Sequence, residues 1–67
     1  MKQTEFERLR SAFLKAFASV PSSLREQIIL AVDGKPFTWD SIFVEVKEGT
    51  GRSKRMLEEL KKLEIID

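Results

Sequence analysis

The sequence predicts an all-α fold, a small four-helix domain whose last three helices form a helix-turn-helix-like unit. Apolar residues recur at helical spacing along most of the chain. Gly and Pro residues interrupt that spacing at positions where helices should end. Because the chain has 67 residues, we expect one domain over residues 1–67, with an N-terminal helix in 1–20 and the three-helix unit in 24–66.

The first helix is predicted over residues 5–19. Thr4 and Glu7 have the spacing of a capping box at its start. Val20 should end it, because the residue before Pro21 disfavours helical geometry. Its apolar side chains fall within an arc of about 100° and comprise Phe6, Leu9, Phe13, Ala16, Phe17 and Val20. Since this helix lies outside the three-helix unit, we predict that the protein forms a homodimer through it.

The second helix is predicted over residues 24–32. Ser23 and Glu26 again have capping-box spacing. One apolar face is formed by Leu24, Ile28, Ala31 and Val32. The segment 33–36 reads Asp-Gly-Lys-Pro and is interpreted as a stop, because Gly suits a left-handed cap and Pro cannot continue a helix.

The third helix is predicted over residues 39–47. Thr38 suits the N-cap position, and Asp40 suits the first turn. One stripe is formed by Trp39, Ile42, Phe43 and Val46. The alternative is a strand over residues 42–47, since β-branched residues alternate there. That alternative would make the fold class α+β.

The fourth helix is predicted over residues 52–63, after a turn at 48–51 that contains two glycines. Its apolar face carries Met56, Leu60 and Leu63, with Leu57 beside it. Ile65 and Ile66 then form an apolar tail, which we interpret as a short strand.

Positive charge is concentrated at the start of the fourth helix. The whole chain has 12 basic and 11 acidic residues, but residues 52–55 carry three basic residues and no acidic one. Cations there oppose the helix dipole, and a bound phosphate would reverse that penalty. The predicted nucleic-acid-binding residues are Thr50, Arg52, Ser53, Lys54 and Arg55. The alternative is a solvated face in which Lys54–Glu58 and Arg55–Glu59 form i,i+4 ion pairs.

Residues 51–66 resemble the recognition helix and exit of prokaryotic winged-helix regulators. In that superfamily a turn glycine leads into a basic helix start, a leucine stripe, and an apolar pair that begins the wing. The resemblance extends over residues 24–66 and makes 38–47 the preceding helix. It implies that the fourth helix enters the major groove, with Ser53, Lys54 and Arg55 nearest the bases. Because the sequence stops at Asp67, we expect a wingless helix-turn-helix or a fragment of a longer protein.

Several function classes are excluded by composition. The chain has no Cys and no His, so zinc sites and nucleophile–base pairs lack their usual side chains. We therefore expect no enzyme activity, no cofactor and no metal. No apolar run approaches the about 20 residues of a membrane span, and the charged start lacks signal-peptide character, so we expect a cytoplasmic protein.

The sequence thus predicts a small regulator that binds double-stranded DNA. The alternative is a helical protein–protein interaction module that does not bind nucleic acid. Its contact face would be the Phe stripe of the first helix or the apolar tail of Leu63, Ile65 and Ile66.

Overall fold

The computed structural model describes residues 3–66, so residues 1, 2 and 67 of the predicted domain lie outside the described part. Its elements are α1 (Gln3–Ala18), a 3-10 turn (Ser22–Leu24), β1 (Ile28–Val32), β2 (Lys35–Thr38), α2 (Trp39–Glu48) and α3 (Gly51–Lys62). The strands pair as an antiparallel hairpin. The fold is therefore α+β, and the predicted all-α four-helix class is wrong.

The predicted second helix is the source of that error. Residues 24–32 contain only the end of a 3-10 turn, followed by β1, in which Leu30 and Val32 are buried and Ala31 between them is exposed. This alternation is that of a half-buried strand. The spacing that predicted a helix arose because five consecutive apolar residues fit either period over so short a run.

The Asp33–Gly34 pair closes the hairpin and does not cap a helix. Val32 pairs with Lys35, so the loop has two residues, whose φ angles are 54° for Asp33 and 77° for Gly34. Positive φ at both central positions is the geometry of a type I′ turn, for which Asp-Gly is a favoured sequence. Pro36 is tolerated in β2 because this two-stranded sheet has only edge strands.

The other three predicted helices are confirmed with small changes at their ends. Helix α1 is described from Gln3 onward, so Thr4 lies within the helix and not at the predicted cap position. Thr38 does cap α2: its Oγ1 accepts from the Ser41 backbone N–H at 3.1 Å, and the Ser41 Oγ accepts from the Thr38 N–H at 2.7 Å. Residues 42–47 are helical, so the α+β class comes from the hairpin and not from the strand alternative.

The chain after α3 folds back onto the helix without forming a strand. Leu63 is 57% exposed, whereas Ile66 is 6% exposed. Glu64 has a φ of 60°, and the Ile65 N–H donates to the Leu60 carbonyl at 3.0 Å. The predicted short strand at Ile65–Ile66 is therefore replaced by a turn that returns Ile66 to the core.

The core lies between the three helices and one face of the hairpin. Its buried members are Leu9, Phe13, Phe17, Leu30, Val32, Phe37, Ile42, Val46, Met56, Leu57, Leu60 and Ile66. Ring stacking joins α1 to α2, with centroids 5.7 Å apart for Phe13–Trp39 and 4.4 Å apart for Phe17–Phe43. Because this packing uses the Phe stripe of α1, only the outer surface of α1 remains for the predicted homodimer, which stays a prediction.

Helices long and apolar enough to cross a membrane are absent from residues 3–66.

Candidate nucleic-acid interface

A tight turn joins α2 to α3 and fixes the start of α3. Gly49 ends α2 in the left-handed region, with a φ of 67°, and Thr50 is the N-cap of α3. The Thr50 Oγ1 accepts from the Ser53 N–H at 3.2 Å and donates to a Glu45 carboxylate oxygen at 2.7 Å. The Thr50 hydroxyl, predicted to bind phosphate, is thus already occupied on both sides by hydrogen bonds that stabilise the turn.

Ser53 lies on the inner face of α3. Its side chain is 0% exposed, and its Oγ donates to the Thr50 carbonyl at 2.5 Å. The apolar stripe of α3, formed by Met56, Leu57 and Leu60, extends one turn back to Ser53 at i−3 and i−4. The sequence therefore carried the signal that this serine faces the core. Ser53 does not join the exposed cations of the predicted site.

Arg52 and Lys54 are exposed and lean to opposite sides of α3. The Arg52 guanidinium carbon lies 5.7 Å from the centre of the Phe37 ring in β2, whereas the Lys54 Nζ lies 5.6 Å from the centre of the Phe6 ring in α1. Contacts of this kind are attractive because the face of an aromatic ring carries partial negative charge. The first turn of α3 therefore presents one cation toward the hairpin and another toward α1.

Arg55 forms a two-pronged ion pair with the hairpin turn. Its Nη1 donates to Asp33 Oδ2 and its Nη2 to Asp33 Oδ1, both at 2.8 Å. Both side chains remain open to solvent, with exposed fractions of 60% for Arg55 and 59% for Asp33. Sequence reasoning missed this pair because the partners are separated by 22 positions and meet only when the hairpin packs beside α3.

Neither of the predicted i,i+4 ion pairs forms among residues 3–66. Lys54 contacts Phe6 and not Glu58, and Arg55 contacts Asp33 and not Glu59. Glu59 instead pairs with Lys62, their Nζ and Oε1 atoms being 3.5 Å apart. The basic start of α3 is therefore not neutralised by the acidic residues of its own helix.

The charges along α3 differ in how fully they are compensated. Lys61 lies 3.5 Å from a carboxylate oxygen of Glu5 in α1. Within residues 3–66, Arg52 and Lys54 have no carboxylate partner, while Arg55 has Asp33. Among the basic residues of α3, Arg52 and Lys54 in its first turn are thus the two without a carboxylate partner in the described part of the chain.

Comparison with known proteins does not assign the chain to a family. No family model matches the chain, and neither the curated proteins nor the solved structures contain a significant match to it. The resemblance to winged-helix regulators therefore stays a prediction. The hairpin precedes α2 and α3 here, whereas the resemblance places a wing after the last helix.

Proposed function

We propose that this protein binds double-stranded DNA through the exposed face of α3 and acts as a small regulator. The observation that carries the proposal is the pair of exposed cations, Arg52 and Lys54, in the first turn of that helix. They have no carboxylate partner within residues 3–66, and their position opposes the helix dipole. A phosphate bound there would pair with both cations and would interact favourably with the positive end of the helix dipole.

The helix start supplies groups that suit a phosphate. The first N–H groups of a helix have no partner within the helix, and the cap residue satisfies one of them. In α3 the Thr50 side chain accepts from Ser53, which leaves the N–H groups of Gly51 and Arg52 ahead of it at the tip. Backbone N–H groups together with Lys and Arg side chains are the usual contacts to DNA phosphates.

The connection between α2 and α3 also supports DNA binding. In helix-turn-helix proteins a short turn joins two helices, and the N-terminal part of the second helix meets the major groove. Here Gly49 and Thr50 join α2 to α3, and the 12 residues of α3 carry Arg52, Lys54 and Arg55 at their N-terminal end. Because the formal net charge of the whole chain is only +1, DNA attraction should depend strongly on this face.

The proposal is tested by fluorescence anisotropy with a labelled mixed-sequence duplex across a series of salt concentrations. Wild-type binding should weaken steeply with salt as counterions are released. For Arg52→Gln and for Lys54→Gln, measured separately, loss of one phosphate contact should reduce the salt slope by about 0.9 and the affinity roughly tenfold at about 50 mM salt.

Lys15→Gln is the matched control. Lys15 is an exposed cation of α1 that lies nine positions beyond Phe6, which is the ring under Lys54. That separation is about 13 Å along the helix, so Lys15 tests the loss of one positive charge away from the α3 tip. Affinity should change less than about twofold in Lys15→Gln if binding is local to α3. Equal losses in Lys15→Gln and Lys54→Gln, or no salt-dependent binding by wild type, would contradict the proposal.

A further inference from the structure

We propose that Asp33 competes with phosphate for Arg55 and thereby limits the general affinity of the α3 face for DNA. This inference rests on the proposed DNA binding. Carboxylates and phosphates both bind the Arg guanidinium through two parallel hydrogen bonds. Since Asp33 occupies Nη1 and Nη2 at 2.8 Å each, the end of the guanidinium that would bind a phosphate is already taken.

The hairpin determines the position of the Asp33 carboxylate. Asp33 and Gly34 form the two-residue turn, and the turn is supported by two buried residues, Val32 at 5% exposure and Phe37 at 8%. The strands on either side of the turn are therefore fixed against the core. Arg55 in turn is fixed at its backbone by α3, so the two charged ends are brought together by elements that do not depend on the ion pair.

The negative charge at this turn is not required by the turn itself. A type I′ turn needs positive φ at both central residues, and Asn meets this requirement as well as Asp does. The turn therefore explains the positive φ of residue 33, but it does not explain why that residue is charged. In the structure, the negative charge of Asp33 neutralises Arg55, which follows Arg52 and Lys54 at the start of α3.

The pair is weak enough to be exchanged. Ion pairs between exposed side chains contribute little to stability and are screened by salt, and both partners here are more than half exposed. When a phosphate takes Arg55, however, the Asp33 carboxylate loses its partner beside other backbone phosphates, and like charges repel. Asp33 therefore removes one contact from the sequence-independent part of binding, and such repulsive elements increase specificity.

The test is a double-mutant cycle of Asp33→Asn, Arg55→Gln and the double variant, measured with the same mixed-sequence duplex over a salt series. Asn keeps the turn and removes the charge. Asp33→Asn should raise affinity about three- to tenfold at about 50 mM salt and less at about 200 mM, and should steepen the salt slope by up to about 0.9, the value for one fully added phosphate contact. In the Arg55→Gln background the same change should raise affinity less than about twofold.

Glu26→Gln is the matched control for net charge. Glu26 is exposed and precedes β1, whose residues span roughly 13 Å from Ile28 to Val32, so Glu26 lies beyond the opposite end of the strand from Asp33. An equal gain from Glu26→Gln and Asp33→Asn would overturn the inference, since overall charge would then explain it. A gain that persists in the Arg55→Gln background would overturn it too, because Arg55 would not be the group that is competed for.

Weaker binding by Asp33→Asn would also overturn the inference and would show that Asp33 orients Arg55 for binding. The outcome for the proposed function is separable. Lys54-dependent binding by wild type with no effect of Asp33→Asn overturns only the role of Asp33. Absence of salt-dependent binding in both wild type and Asp33→Asn overturns the DNA-binding proposal together with this inference.

Discussion

Replacing Thr50 with Val tests whether this residue holds the turn between α2 and α3. Val has nearly the shape of Thr but lacks the hydroxyl, which accepts from Ser53 N–H at 3.2 Å and donates to Glu45 at 2.7 Å. Loss of an N-cap side chain costs about 1 kcal/mol. Loss of the bond to Glu45 should add about 0.5–1 kcal/mol, because a half-buried carboxylate partly regains water as a partner.

The total, about 1.5–2 kcal/mol, is a large share of the few kcal/mol that stabilise a domain of this size. Urea unfolding followed by the fluorescence of Trp39 should report it. Trp39 is the single tryptophan, is half-buried, and stacks on Phe13 with centroids 5.7 Å apart, so its environment changes when the core opens. The midpoint should fall while the dependence on urea concentration stays constant.

Thr50→Ser is the matched variant, because it keeps the hydroxyl and loses only a methyl group. It should lie within about 0.5 kcal/mol of wild type, since Ser is at least as good an N-cap as Thr. Equal free energies of unfolding for Thr50→Val and Thr50→Ser would refute the capping argument. The turn would then be held by Gly49 and by packing alone.

Three further substitutions test the core, the inner face of α3 and the hairpin turn. Phe13→Ala should cost about 3–5 kcal/mol, so circular dichroism should show a melt shifted by tens of degrees or no cooperative melt, and a near-wild-type melt would disprove the assigned role of Phe13. Ser53→Ala should lower stability by about 1 kcal/mol through its lost bond to Thr50 while leaving DNA affinity within about twofold; a large loss of binding would place Ser53 at the interface. Gly34→Ala should cost about 1–2 kcal/mol from its φ of 77° alone, since no atom lies within 4 Å of an added Cβ. Gly34→Asn should recover most of that stability, because Asn tolerates positive φ, and equal stability of the two variants in chemical unfolding would contradict the turn assignment.

Helices α1, α2 and α3 were predictable because their signals are local. The Thr38 cap of α2 and the apolar periodicity of each segment involve residues within one or two turns of each other. The strand β1 was missed because a short apolar run fits the periodicity of a helix and that of a strand equally well. The Asp33–Gly34 sequence, which is typical of a hairpin turn, was interpreted as a helix stop.

The candidate site was predictable in its location but not in its composition. The sequence places Arg52, Lys54 and Arg55 together at the start of a helix, and that position is confirmed. Thr50 and Ser53 have the same short-range pattern, yet their hydroxyls bond within the turn and Ser53 is buried. Polar side chains at the start of a helix can either cap the helix or bind a ligand, and residue type alone does not distinguish these two roles.

The sequence by itself determined the three helices, the Thr38 cap of α2 and the concentration of positive charge at the start of α3. Each of these depends on backbone preferences and side-chain spacing over a few residues. Only the tertiary structure decided that residues 28–32 form a strand and that Arg55 is neutralised by Asp33 while Arg52 and Lys54 are not. Those outcomes depend on strand pairing and on the packing of the hairpin beside α3, which bring together groups that are distant along the chain.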